Sequence, residues 1–323
     1  VNRWLQIAVS AVLLAALLVF VPDWSVLGNA LRHVDPRWAL LGWMLLQGDR
    51  VLMAYKWALL LATRGPRLSL FAATGLYCNA TIWGLALPTT VGVDTVRTVL
   101  LKRRGISVAD ALGSIIVERA LGFLSALGLA LMSLLVIEST WPASGGYRWL
   151  LILFAAGLAG GATLLVFSFS RGAFARLERL LPMRWRDTPP VRILKKLHDA
   201  YCAIGAQRST IVVFFLLTLI EQLIAVPFTW AVARGMALNV SVLALIGALP
   251  VALLLARLPA SFDGIGVFET TFTAVMSHAG MPPAQALAVA VVSRLLNVLA
   301  VVPWWLGYSL QRHAPSTHGA RTP

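Results

Sequence analysis

The sequence predicts an all-α polytopic membrane protein, with six full spans plus two re-entrant helical hairpins arranged as an inverted repeat. Three observations predict it. The 323 residues are 59% hydrophobic and only 12% charged, which excludes a soluble domain of this length and fits a chain of many membrane segments. Two stretches 175 residues apart run nearly alike, GISVADALGSIIVERALG from Gly105 to Gly122 and GMPPAQALAVAVVSRLLN from Gly280 to Asn297. Aligned without a gap they agree at seven of 18 positions, Arg119/Arg294 among them. Chance in so Ala- and Leu-rich a chain gives roughly two matches. Upstream of each lies a Pro–Gly interruption, LALPTTVGVDTVR (Leu85–Arg97) and ARLPASFDGIGVFET (Ala256–Thr270). Paired breaks in two halves of a membrane chain point to a transport site near the bilayer midplane.

Taken in order, full spans fall near 4–21, 38–62, 108–137, 148–169, 209–233 and 283–310, each close to the ~20 apolar residues that cross the hydrocarbon core. The first run lacks a small-residue cleavage site before Pro22–Asp23 and reads as a retained helix, not a signal peptide. The apolar stretches 70–87 and 240–256 run into the breaks and are followed by amphipathic segments 94–103 and 267–279, so each pair reads as a hairpin. The first repeat covers about 38–137 and the second about 209–310, within one transmembrane domain over 1–312. Residues 171–208 form a basic loop with an amphipathic helix around 191–204, expected to lie on anionic headgroups. Residues 313–323 are expected to be a disordered tail.

Charge fixes the expected orientation. With the N-terminus in the cytoplasm and both hairpins folded back, 17 Lys and Arg fall inside and four outside, as the positive-inside rule requires. The N- and C-termini are then cytoplasmic, in a multi-pass protein of a bacterial inner membrane. The net charge of +14 does not signal nucleic acid, because the cations are scattered among apolar runs. Cys78 and Cys202 give neither a disulfide framework nor metal-ligand spacing, and no cofactor or metal is expected. Trp residues near span ends, such as Trp4, Trp149 and Trp304, read as interfacial belts.

Six cations remain inside spans or beside the breaks: Arg50, Lys56, Arg97, Arg119, Arg257 and Arg294. Arg119 and Arg294 lie about 16–18 Å into their helices. An arginine at that depth costs on the order of 3 kcal/mol and needs a cavity or a partner. The acids near them are Asp49, Asp94, Glu118, Glu221, Asp263 and Glu269. Mutual neutralisation is one reading of the set. A polar cavity binding an anionic guest, with phosphate suited to arginine forks, is the other. Asp94 and Glu269 either cap helices that start after Pro88 and Pro259 or contribute to the guest site. Gly92, Gly264 and Gly266 permit the breaks. Glu221 either carries a proton or pairs with a cation. Asp49, Glu118 and Glu221 are therefore the candidates for coupling or ion pairing.

On these residues the chain resembles the flippase-like family, also called the lysylphosphatidylglycerol synthase transmembrane region. The resemblance rests on Pro88, Gly92, Asp94, Arg97 and Lys102–Arg104, on Glu118–Arg119, on LPASFDGIGVFE (Leu258–Glu269) and on Arg294. The sequence departs from the family's double glycine before the aspartate, since Val93 separates Gly92 from Asp94. The resemblance implies a flippase for anionic or glycosylated lipids; a lipid-biosynthetic enzyme is a candidate partner, and self-association is open. Nothing in the chain corresponds to the aminoacyltransferase domain of the aminoacylating member. The rival expectations are a membrane-embedded polyprenyl-phosphate-processing enzyme and a non-transporting partner of a lipid-modifying enzyme. No histidine or paired acids stand where phosphate chemistry would need them.

Overall fold

A computed structural model describes residues 35–65, 67–86, 92–140, 148–170, 188–258, 261 and 264–313, with isolated positions 12, 28, 172, 176 and 179. The expected span at 4–21, Pro88, Pro259, Asp263 and the tail from 314 lie outside the described residues. The described residues form twelve helical segments.

The first unit holds α1 (Pro36–Ala62), α2 (Leu70–Ala86), α3 (Gly92–Lys102) and α4 (Val108–Thr140). Asp35 starts α1 by accepting the Arg37 N–H at 2.9 Å, with Pro36 at the first position. α2 and α3 approach so closely that a Cβ on Gly84 would collide with the Val93 backbone. α3 ends on Gly105, at φ +81°. The Ile106 N–H returns to the Leu101 carbonyl and the Gly105 N–H to Lys102, which is a Schellman closure. Ser107 then starts α4, accepting the Asp110 N–H at 3.1 Å.

α5 (Arg148–Ser168) and α6 (Pro189–Gly205) connect the two units. α5 packs on α4 and leaves Ile152, Leu153, Leu164, Val166 and Phe167 exposed. Such a surface suits lipid, not water. α6 matches the expected amphipathic helix, with one correction. Its C-terminal half does not rest on headgroups but is buried on α4, with Ala200, Tyr201, Cys202 and Ile204 packed against protein. Gly113 of α4 allows this, since a Cβ there would lie 3.2 Å from the Tyr201 N. Burial pushes the Tyr201 phenol pKa up, and its hydroxyl shares a 2.6 Å hydrogen bond with Ser168.

The second unit holds α7 (Arg208–Leu223), α8 (Ala225–Gly235), α9 (Val242–Ala256), α10 (Val267–His278), α11 (Pro283–Leu299) and α12 (Val302–His313). Prolines explain the extra segments, because a proline ring clashes with the carbonyl four residues back. Pro227 and Pro303 therefore break the path at Leu223 and Leu299, splitting α7 from α8 and α11 from α12. Each pair still runs as one apolar stretch, Arg208–Gly235 and Pro283–Gly307. With α4 and α5 these are the four described stretches long and apolar enough to cross a membrane. α1 is 27 residues long but carries Asp49, Arg50 and Lys56 at its centre.

Pro250 inside α9 removes the donor for the Ile246 carbonyl, and the Ser133 hydroxyl of α4 supplies one instead. Ser133→Ala is expected to cost about 1–3 kcal/mol by orphaning that carbonyl, read by thermal unfolding in detergent. Ser133→Val should lose no less. Gly264, at φ +71° and with a virtual Cβ 2.7 Å from the Ala256 carbonyl oxygen, admits no side chain.

The two units share one local plan at an offset of 175. α3 and α10 start at 92 and 267, and α4 and α11 at 108 and 283. The Schellman closure recurs: Gly280 has φ +91°, and the Met281 N–H returns to the Met276 carbonyl. Packing also corresponds between units. α2 lies on α3 and α9 on α10; α4 packs on α9, and α12 packs on α2.

Candidate functional site

The charges expected at depth do have partners, mostly one another. Six cations face five described acids, so the site is nearly neutral. In the first unit, the Arg119 guanidinium of α4 grips Asp94 of α3, with its Nε at 2.7 Å from Oδ2. In the second, the Arg294 guanidinium of α11 grips Glu269 of α10, Nε to Oε1 at 2.6 Å. Both pairs join residues 25 positions apart, and each acid is the third residue of its helix. Glu269 also accepts the Gly266 N–H at 2.7 Å, so it caps α10 and holds an arginine at once. Gly266 itself stands at φ +84°.

The two pairs differ in exposure. The Arg119 side chain is 61% exposed, whereas Arg294 is 25% and Glu269 only 2% exposed. Arg119 and Asp94 sit at the end of an open groove of about 500 Å³ between α3 and α4. Thr95, Thr98, Val99, Leu112, Ile115 and Ile116 line the rest of it. A charged pair thus ends an apolar trough.

Arg97 lies elsewhere. It is buried, bonded to Glu118 at 2.6 Å and stacked between Trp57 and Tyr77 at 4.3 and 4.7 Å. Every face of the guanidinium is occupied by protein, which makes it a clamp between α1, α2, α3 and α4. The Tyr77 hydroxyl adds a 3.3 Å bond to Glu118. Lys56 of α1 is likewise enclosed, donating to Glu221 at 2.7 Å and to Thr218 at 3.1 Å, both on α7. Glu221 is therefore half of an ion pair. Asp49 lies 3.3 Å from Arg50, and Arg50 donates to Asn297 of α11 at 2.7 Å. Arg257 donates to the Gly122 carbonyl of α4 at 2.8 Å. Gly92 is buried at the start of α3.

The structure therefore joins Arg50 to the second unit one helical turn from Arg294, and Lys56 to α7. It keeps Arg97 with Glu118 inside the first unit, apart from the groove's lining. Sequence reasoning missed two glutamines. Gln47 of α1 donates to the Ala300 carbonyl at 3.3 Å and accepts the Trp304 indole N–H. Gln222 of α7 donates to the Gly122 carbonyl at 3.1 Å and to Ser125 at 2.7 Å. Gln47 and Gln222 are 175 apart, as are Ser125 and Ala300, so each unit reaches into the other through equivalent residues. Extending the repeat alignment upstream finds both glutamines. It also finds Thr95/Thr270 and Thr98/Thr273 on the groove and its counterpart. No group of three or more His, Cys, Asp or Glu side chains among the described residues is placed to hold a metal ion.

Lipid-facing spans around a core of ion pairs define a multi-pass membrane protein with a polar interior. The chain belongs to the family described as the lysylphosphatidylglycerol synthase TM region, whose model matches residues 3–304. The match covers the membrane region, and no aminoacyltransferase domain is found within the sequence. No curated protein and no solved structure matches the chain.

Proposed function

We propose that the protein moves an anionic lipid, phosphate-bearing or glycosylated, between leaflets by alternating access, with two inverted repeats rocking around a basic midplane site. The observation that carries this reading is the groove ended by Arg119 and Asp94. A headgroup phosphate would take the guanidinium fork, while a hydrocarbon chain lies along Val99, Leu112, Ile115 and Ile116 or stays in the bilayer.

The second unit supports the same reading. The residues 175 beyond the groove lining are Glu269, Thr270, Thr273, Ala274, Leu287, Ala290, Val291 and Arg294, a closely similar set. Among the described residues, the hydroxyls of Thr270, Thr273, Ser277 and Ser293 are buried without a hydrogen-bond partner. Thr270 and Thr273 are the counterparts of Thr95 and Thr98, whose side chains line the groove of the first unit. One conformer would open Arg119 and close Arg294, and exchange of the repeats' conformations would reverse this.

The short lengths of α2 and α9, about 25 and 22 Å, fit hairpins that do not cross a core about 30 Å thick. On this reading both termini are cytoplasmic, the membrane is a bacterial inner membrane, and the protein carries out no chemistry on its cargo. Energy comes from a lipid or ion gradient or from a coupled synthetic enzyme.

The test is reconstitution into liposomes with fluorescent phosphatidylglycerol, reading the fraction of label quenched from outside. The protein should equilibrate label across the bilayer, and Arg119→Ala with Arg294→Ala should abolish this. Equal rates with and without the double substitution would remove the proposed site.

A further inference from the structure

The apolar stripe of α6 is only half covered. At 100° per residue, Ile193, Leu194, Leu197, Ala200, Tyr201 and Ile204 fall on one side of the helix. Ala200, Tyr201 and Ile204 are buried against protein, while Ile193 is 67% and Leu194 54% exposed. Arg192 and Lys195 are exposed on the opposite side of the same turns, and Lys196 is exposed on the flank of the stripe. A soluble surface rarely leaves two large aliphatic side chains adjacent and open.

The position of α6 says what covers them. Its C-terminal half meets four spans near their ends at one face of the protein. It packs on Gly113, in the second turn of α4. Tyr201 bonds Ser168, the last residue of α5. Leu60 near the end of α1 shares its core cluster, and α7 begins at Arg208, three residues after α6 ends. A helix tied to that many span ends lies at the level where hydrocarbon gives way to headgroups. The segment 171–208 carries nine Lys and Arg against three Asp and Glu, and anionic lipid is the complementary partner.

We infer that the N-terminal half of α6 is an interfacial docking surface for an anionic lipid leaflet. Ile193 and Leu194 are buried among acyl chains, and Arg192, Lys195 and Lys196 sit in the headgroup layer. An amphipathic helix with this division binds by apolar burial together with charge attraction. The surface holds anionic lipid at the end of the bundle where these spans meet, and it stands whether or not the protein transports that lipid.

Hydrogen exchange of the full chain in nanodiscs tests it. Amides of residues 191–197 should exchange at least about 10-fold more slowly in discs containing phosphatidylglycerol than in pure phosphatidylcholine discs. Arg192→Glu with Lys195→Glu and Lys196→Glu should erase the difference between the two lipids. Ile193→Ser with Leu194→Ser should speed exchange in both. Exchange of α4 in the same samples reports that each variant is folded. Rates over 191–197 that are the same in both discs for the unsubstituted protein overturn the inference, whether fast or slow. So does a lipid dependence that survives the three charge reversals in a folded protein.

Discussion

Arg119→Ala is expected to lower lipid translocation in liposomes on the order of 10–100-fold while leaving the protein folded. A charge-assisted hydrogen bond is worth about 1.5–3 kcal/mol, and Arg119 is the one groove-lining cation among the described residues. Its side chain is 61% exposed, so truncation leaves no buried cavity. Asp94 would lose a partner but keep Arg97 nearby, at 4.0 Å. Arg119→Lys should recover part of the activity, since it restores charge without the planar fork. Asp94→Asn is the informative contrast, because it removes the negative charge that holds the guanidinium while leaving only a neutral acceptor. That variant should bind the anionic lipid more tightly and release it more slowly. A rate for Arg119→Ala equal to that of the unsubstituted protein would place the headgroup elsewhere.

Arg97→Ala should instead unfold the first unit. The guanidinium is buried between the rings of Trp57 and Tyr77 and bonded to Glu118. Its loss leaves Glu118 without its 2.6 Å partner inside the bundle. Breaking a buried pair from one side costs about 3–5 kcal/mol, to which the emptied aromatic slot adds. Thermal unfolding in detergent should therefore drop furthest for Arg97→Ala, which empties an aromatic slot as well as a pair, and less for Arg119→Ala, where buried Asp94 keeps Arg97 at 4.0 Å. Arg97→Met with Glu118→Leu, which removes both charges and keeps the volume, should recover most of the stability. If the double variant is as unstable as Arg97→Ala, the orphaned Glu118 charge is not the source of the loss.

These opposite expectations concern two arginines that look alike in sequence. Both lie in amphipathic or apolar runs beside the first break, and both have a neighbouring acid. Depth and charge alone made each a candidate for the guest. Rotation of α3 and α4 separates them. One faces Trp57 and Tyr77, and the other faces the groove. Lys56 and Glu221 make the same point. Glu221 stands 165 residues from Lys56, and no local pattern links them. Gln47 and Gln222 were legible in principle, since they repeat at the same offset as Arg119 and Arg294. Yet polar uncharged residues in apolar runs carry little signal until their partners are known.

By itself the sequence determined the membrane class and where most of the described helices start and stop. Those follow from one-dimensional quantities: apolar run length, proline and glycine placement, and a repeat offset of 175 that sets element starts at 92/267 and 108/283. Only the tertiary structure decided which acid meets which cation, that Arg97 is sealed while Arg119 borders the groove, and that α6 spends half its apolar stripe on protein. Ion pairing depends on helix rotation and crossing, and those are fixed by packing among segments far apart in the chain.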